Sequence, residues 1–451
     1  MLPTCRASFL VTIIVWALGS TTGWSQSSNS SPYSIFGLGD LESSGFAQHH
    51  GRGNARLALS DPFSINLANP ATHSSLGRAW RGGNRKDSIG YPILQLGIGA
   101  NLLRLENNDA TQDNSDFFLR NISVGLPLKK NKWGLAFGLV PFTLVGYEIN
   151  TSEELTDGGN VSYIYEGTGG INRAYVGTGY RLISKKNQTL DAGINGSYLF
   201  GTVEETRRTL LSGGFNTRVT EKTTVSDINF DLGLNYRIKL WQDSADYRRQ
   251  IWFSVAATYT NGADLNATNN LVALNYTGNA QNEIPRDTAI DRDLKGDVTL
   301  PPTFGFGIAA HLFNQWTISA DFTNQDWSQY RAFGIDPGLG NRTQYAVGIQ
   351  YVNNPFSIRF VEQLHFRAGF RYADSRLIIN DQQLTEYGIS FGLGIPISRN
   401  LPMSYLNLST ELGQRGDSNP GLIREQFARI NFGLSLSPIG LDGWFQRRKI
   451  Q

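Results

Sequence analysis

Period-two alternation of apolar and polar side chains, repeated down most of the chain, restricts the possible folds of this sequence more than anything else in it. From Tyr91 onward, stretches of eight to twelve residues alternate and then break at polar residues. Ile228, Phe230, Leu232, Leu234, Tyr236 and Ile238 fall on one face of such a stretch, and Asn229, Asp231, Gly233, Asn235 and Arg237 on the other. Tyr387, Ile389, Phe391, Leu393 and Ile395 alternate in the same way with Gly388, Ser390, Gly392 and Gly394. This is the signature of strands whose two faces meet different environments. In a water-soluble sandwich the second face would carry many Lys and Glu. Here it carries Gly, Ser, Thr, Asn and scattered charge, and only 17% of the chain is charged. That combination predicts lipid outside and a polar, crowded lumen inside, in a closed barrel that leaves no unpaired backbone in hydrocarbon.

Fourteen strands are predicted, at 93–105, 117–129, 132–148, 161–183, 189–206, 223–239, 250–262, 302–313, 315–327, 342–352, 364–375, 385–398, 404–415 and 425–437. The breaks alternate between short ones, such as 129–132 and 184–187, and long ones, the longest at 263–301. Short periplasmic turns and long external loops are the pattern of outer-membrane barrels. An even strand number then puts both chain ends in the periplasm. Tyr91, Trp133, Tyr147, Tyr180, Trp241, Trp252 and Trp316 fall near strand ends, where an aromatic girdle is expected.

The N-terminus reads as an export signal. Arg6 precedes the apolar run from Phe9 to Leu18, and Gly23 and Ser25 stand at −3 and −1 of a cut before Gln26. Cys5 lies ahead of that run, so a mature chain would hold neither disulfide nor thiolate metal site. No later stretch approaches the ~20 apolar residues of a spanning helix. With 40 Lys+Arg against 38 Asp+Glu, the net +2 offers no footprint for nucleic acid. The expected organisation is therefore signal peptide 1–25, N-terminal hatch or plug 26–90, transmembrane barrel 91–440, and a basic periplasmic tail 441–451. The second segment does not alternate, yet Phe36, Leu38, Phe46, Leu57, Phe63, Ile65 and Leu67 give it apolar anchors that disorder rarely contains. A fourteen-stranded barrel leaves a lumen for such a segment to fill.

The hatch segment 60–71, ending in Asn69-Pro70-Ala71, resembles the FadL/TodX-like outer-membrane transporters of long-chain fatty acids and other hydrophobic compounds. Stretches 31–40, 137–142, 165–173, 198–201 and 300–304 are similar to the variant of Bacteroidetes-type outer membranes. The resemblance covers nearly the whole mature chain. One departure is a basic tail after the last strand, where the family ends on an aromatic residue.

The resemblance implies capture of an apolar ligand, rearrangement of the hatch at Asn69, Pro70 and Ala71, and sideways exit through a gap at a kinked third strand. Proline cannot donate to a sheet ladder, so Pro141, flanked by Gly138 and Phe142, is the candidate lateral opening. Phe63, Ile65, Leu67 and Leu139 are candidate ligand lining, and Arg173 a candidate carboxylate anchor. Asn69 and Pro70 also suit a purely conformational role in a turn. No nucleophile elbow or paired-histidine zinc motif occurs, so no enzymatic chemistry, cofactor or metal is expected.

The leading expectation is passive uptake of hydrophobic small molecules across the outer membrane of a Gram-negative cell. The alternative is a structural barrel subunit of an outer-membrane secretion or assembly machine, with envelope proteins as partners. Loop 263–301 and the tail would suit docking, whereas Pro141 and the hatch would suit ligand passage.

Overall fold

The computed structural model describes residues 31–79, 89–107, 110–154, 159–211, 214–246, 249–279, 282–355, 357, 359–397, 404–417 and 422–437. The predicted signal peptide and basic tail lie outside these residues. Among the described residues, no helix is long and apolar enough to cross a membrane.

Fourteen strands make the wall. They are β1 (Ile93–Glu106), β2 (Thr111–Lys129), β3 (Trp133–Glu154), β4 (Asn160–Ser184), β5 (Gln188–Leu211) and β6 (Asn216–Gln242). Next come β7 (Gln250–Thr260, continued by Ala263–Asn279) and β8 (Asn282–Leu300, continued by Thr303–Leu312). The circuit ends with β9 (Trp316–Asp326), β10 (Asn341–Val352), β11 (His365–Ile379), β12 (Gln382–Pro396), β13 (Tyr405–Arg415) and β14 (Arg424–Leu436). Each pairs antiparallel with the next, and β14 pairs back onto β1 from Arg424↔Glu106 to Leu436↔Leu94. The barrel is closed.

Its apolar face is the outer one. Leu94, Leu96, Phe304, Phe306, Ile308, Ile389 and Phe391 are all exposed, while their polar neighbours Gln95, Ser390 and Asn431 are buried in the lumen. This inversion of a soluble core is what a lipid solvent requires. Trp133, Tyr180, Trp241 and Trp316 are exposed at the short-turn ends of their strands, as a girdle would be. Tyr91 and Tyr147 depart from that expectation, because both are buried.

The expected long loop at 263–301 is a correction: it is a hairpin of regular strand, paired from Ala263↔Leu300 to Asn279↔Asn282. A tilted strand needs about 9–11 residues to span a bilayer. β3, β4, β5 and β6 run to 22, 25, 24 and 27 residues. With β7 and β8 they form a six-stranded sheet that projects beyond the level where β9–β14 stop. Its far edge is bare: among the described residues, 282–296 pair with β7 alone, and only Val298 and Thr299 meet a further strand, Arg331–Ala332.

Residues 31–79 pack against the inner face of the wall. They carry little regular structure: a 3-10 turn at Pro32–Ile35, one helical turn at Ala47–His50 and a 3-10 turn at Pro70–Ser75. Their contacts go all round the wall. Ile65 N–H donates to Gln95 of β1 (2.8 Å), Asn195 of β5 donates to the Leu67 carbonyl (3.1 Å), and Gly53 N–H donates to Ser390 of β12 (2.8 Å). Inward-facing glycines of the wall let this backbone approach. A Cβ on Gly193 would stand 2.3 Å from the Pro70 carbonyl carbon, and one on Gly369 2.2 Å from that of Arg52.

Apolar contacts hold the segment at both levels. Towards the projecting sheet, Tyr33 and Leu38 join a cluster with Ile171, Leu199, Val225, Leu265, Trp327 and Tyr330. Towards the short turns, Phe46, Ile65, Leu67 and Leu76 pack with Ile93, Ala136, Val140 and Tyr175.

Candidate functional site

The wall changes character at Pro141. Below it, β2 and β3 pair from Lys129↔Trp133 up to Ile122↔Leu139, and the ladder ends there. Above it, β3 stays paired with β4 as far as Glu154↔Asn160, with a bulge between Pro141 and Thr143. Alternation fails at the same point: Thr143 to Tyr147 are buried consecutively. A strand covered on both faces has left the lipid-facing wall, and a bulge at a proline is the local cause. Glycines continue the irregularity into the neighbours. Gly169 of β4 has φ +106°, and a Cβ on Gly201 of β5 would lie 2.2 Å from the Gly170 carbonyl oxygen.

The split between β2 and β3 is stitched from inside by the N-terminal segment. Asp40 and Leu41 pair antiparallel with Leu144 and Thr143, and Glu42 N–H donates to the Phe142 carbonyl (2.9 Å). On the other side, Arg120 of β2 holds the Glu42 carboxylate (3.1 Å). Arg415 of β13 holds Asp40 (3.0 Å).

The predicted hatch residues form one buried turn. Asn69 caps the 3-10 turn, its Oδ1 accepting from Ala71 N–H (3.0 Å). Its Nδ2 donates to the Leu57 carbonyl (2.8 Å) and to that of Leu234 in β6 (3.3 Å). Pro70 sits at the first position of the turn, where its missing N–H is no loss. Burial holds His73 neutral, with its pKa down at about 4; the hydrogen bond its Nε2 donates to Asn195 Oδ1 (3.3 Å) opposes that shift. His49 and His50 are also held well below the usual histidine value, by burial first and then by neighbouring arginines.

Of the proposed lining, Ile65 and Leu67 are buried in the lower apolar cluster and Phe63 is half-buried. Leu139 lies elsewhere. It is 38% exposed on the outer face, sharing the parity of Phe137, because the bulge that shifts the phase comes only after it. Gly138 pairs with Ser123 in the last intact part of the ladder, where a Cβ would strike the Ile122 carbonyl oxygen at 2.3 Å. Phe142 and Arg173 come together, the guanidinium 5.0 Å from the ring centre, and Arg173 faces Asp231 at 3.7 Å.

Between the two apolar levels lies a chamber of about 260 Å³, lined mostly by polar and charged residues, with Leu41, Leu57, Leu67, Leu103, Phe142 and Leu300 among them. Arg371 of β11 bridges Glu386 and Glu411, both at 2.7 Å, and Arg429 adds a contact to Glu386 at 2.8 Å. Arg56, Arg120, Arg173 and Arg342 also line it. None of these wall charges but Arg173 stood out in the sequence. The available signal was a charge, instead of Gly or Ser, on the inward parity of a strand, as at Arg371 and Glu411. Among the described residues, no cluster of His, Cys, Asp or Glu could hold a metal.

A family model described as BamG matches residues 8–451. No curated protein matches the chain. Among solved structures, the P. putida toluene transporter TodX is similar at TM-score 0.54 and 16% identity, over 88% of this chain and 98% of that one. The CymD monoaromatic hydrocarbon channel is similar at TM-score 0.52 and 14% identity, over 86% and 96%. A Pseudomonas aeruginosa FadL homologue is similar at TM-score 0.52 and 12% identity, over 88% and 98%. At such identities the likeness shows the fold alone, a closed antiparallel barrel.

Proposed function

The chain belongs to the BamG family, and from that premise and the geometry we propose that it is an outer-membrane scaffold, a barrel subunit that holds another envelope protein. The observation that carries this reading is the projecting sheet with its bare edge at 282–296. A sheet far longer than a bilayer requires, with backbone groups left unpaired on one side, offers a partner an edge to meet. The lumen fits the same reading. The N-terminal segment packs into it, and the chamber left over sets ion pairs such as Arg371 with Glu386 and Glu411 beside its apolar residues, a mixed wall that suits an apolar ligand poorly. The bare edge carries Pro285, Asp287, Asp291 and Lys295, which discourage indiscriminate pairing and leave room for a chosen partner. Removing residues 268–295 should leave the barrel folded and strip the partner from it. Retention of every partner after that deletion would refute the docking site.

A second reading has its own observation. The ladder between β2 and β3 stops at Leu139, beside Pro141, and that is where a lateral exit for hydrophobic small molecules would lie. On this reading residues 40–43 are the gate, the hatch moves them, and the ligand class is that of the fold relatives, with fatty acids one member. Uptake of a labelled hydrophobic compound by cells with and without the protein separates the two. A scaffold leaves uptake unchanged, whereas a transporter lowers it when lost.

A further inference from the structure

Lysines gather on one side of the short-turn rim. Lys129, Lys130 and Lys132 stand where β2 turns into β3, Lys185 and Lys186 where β4 turns into β5, and Lys239 near the end of β6. Backbone hydrogen bonds join these places into one surface. Arg181 N–H donates to the Lys132 carbonyl (2.7 Å), and Lys239 N–H to the Asn187 carbonyl (2.6 Å). Stretches 128–133 and 182–188 contain no acid. The next acid along β5, Asp191, is buried and held by Arg181 at 2.7 Å. Lys129, Lys130, Lys185 and Lys186 are exposed. Other connections on this rim differ. The turn 313–315 between β8 and β9 has no charge, and in 353–364, between β10 and β11, the one cation, Arg359, faces Glu362 at 3.5 Å. Like charges gathered in this way repel one another and attract an anion.

The surroundings of the lysines say which anion. Lys132 Nζ sits 5.2 Å from the Tyr180 ring centre, and Lys239 Nζ 5.3 Å from that of Trp252. Trp133, Tyr180 and Trp241 are exposed at this level, where aromatic rings mark lipid headgroups. Among them Leu128, Leu182 and Leu240 are 48%, 58% and 62% exposed. A soluble acidic protein would use the charge alone. A phospholipid uses both features, its phosphate against the ammonium groups and its chains against the leucines. We propose that this section of the rim, from Lys129 to Lys239, is a binding site for anionic phospholipid of the periplasmic leaflet, which the short turns face. Lysine suits it, because its stem lies along apolar surface while its head reaches the phosphate. The site is independent of the scaffold reading, since it lies at the end of the barrel opposite the projecting sheet.

The test is native mass spectrometry of the full-length protein in detergent, titrated with dioleoyl phosphatidylglycerol or with dioleoyl phosphatidylethanolamine. Preferential binding of phosphatidylglycerol, weakened about tenfold or more in Lys130→Gln/Lys132→Gln/Lys186→Gln, supports the site. The charge-matched control Arg286→Gln/Arg292→Gln/Lys295→Gln, on the projecting sheet, should bind as the wild type does. A photoactivatable phosphatidylglycerol, which needs no variant, should label wild-type peptides containing 128–133 and 182–187. The proposal is overturned if the two lipids bind equally, if the rim variant keeps the wild-type affinity, or if the label spreads evenly round the barrel. It is also overturned, in favour of an acidic protein, if the rim variant loses a co-purifying periplasmic protein while its lipid selectivity is unchanged.

Discussion

Asn69 shows how much one side chain does in this lumen. Its amide caps a turn, ties two parts of the N-terminal segment together and reaches the wall at Leu234. Asn69→Ala leaves buried partners unsatisfied and should cost about 1–3 kcal/mol, read as faster protease cleavage within residues 31–79. Gly233→Ala should act on the same contact from the wall, since its Cβ would fall 2.1 Å from Asn69 Oδ1. The histidines add a pH dependence. His73 keeps a pKa of about 4 in the folded chain, and the ordinary histidine value is 6.5. Between these values the unfolded chain binds a proton that the folded one refuses, so stability falls as pH drops from about 6.5 towards 4. Protease resistance of the segment should therefore be lower at pH 5 than at pH 7.5. Equal resistance would mean that His73 titrates freely. The Asn-Pro turn was legible in the sequence because its chemistry is local. Arg371 was not, because what distinguishes it is the pair of carboxylates, Glu386 and Glu411, that the neighbouring strands bring to it.

At the scale of elements, strands were legible wherever lipid touches them. Lipid on one side and the lumen on the other impose period two, and every predicted strand coincides with one of β1–β14. The hairpin at 263–300 escaped for the same physical reason. Water lies over most of β8 between Asn282 and Asp297, so Asn, Thr and Asp suffice and no alternation appears. Leu139 was misplaced because its phase must be counted from below Pro141, before the bulge. The stitch across the split gives a direct prediction. Leu41 and Thr143 are opposed in an antiparallel pair, a geometry that a disulfide tolerates. The double variant Leu41→Cys/Thr143→Cys should therefore form an intramolecular disulfide in high yield. Absence of the cross-link in folded barrel would show that residues 40–43 do not lie across the split. If they are a gate for hydrophobic molecules, oxidation should also abolish uptake; if they are a fixed patch of wall, oxidation should change nothing.

For the whole molecule, the lumen and the projecting sheet make separate claims. Deleting residues 27–80 should raise nonspecific conductance in planar bilayers, because the segment touches the wall on opposite sides at Gln95, Asn195 and Ser390. Unchanged current would mean that the wall alone blocks the passage. The sheet's claim concerns company, and gentle extraction of the native protein, with mass spectrometry of co-purifying proteins and lipids, tests it most directly. The scaffold account predicts a stoichiometric envelope protein that is lost when 268–295 is removed. A solitary barrel enriched in hydrophobic small molecules would contradict it, and would return the split at Pro141 to the centre of the molecule's work.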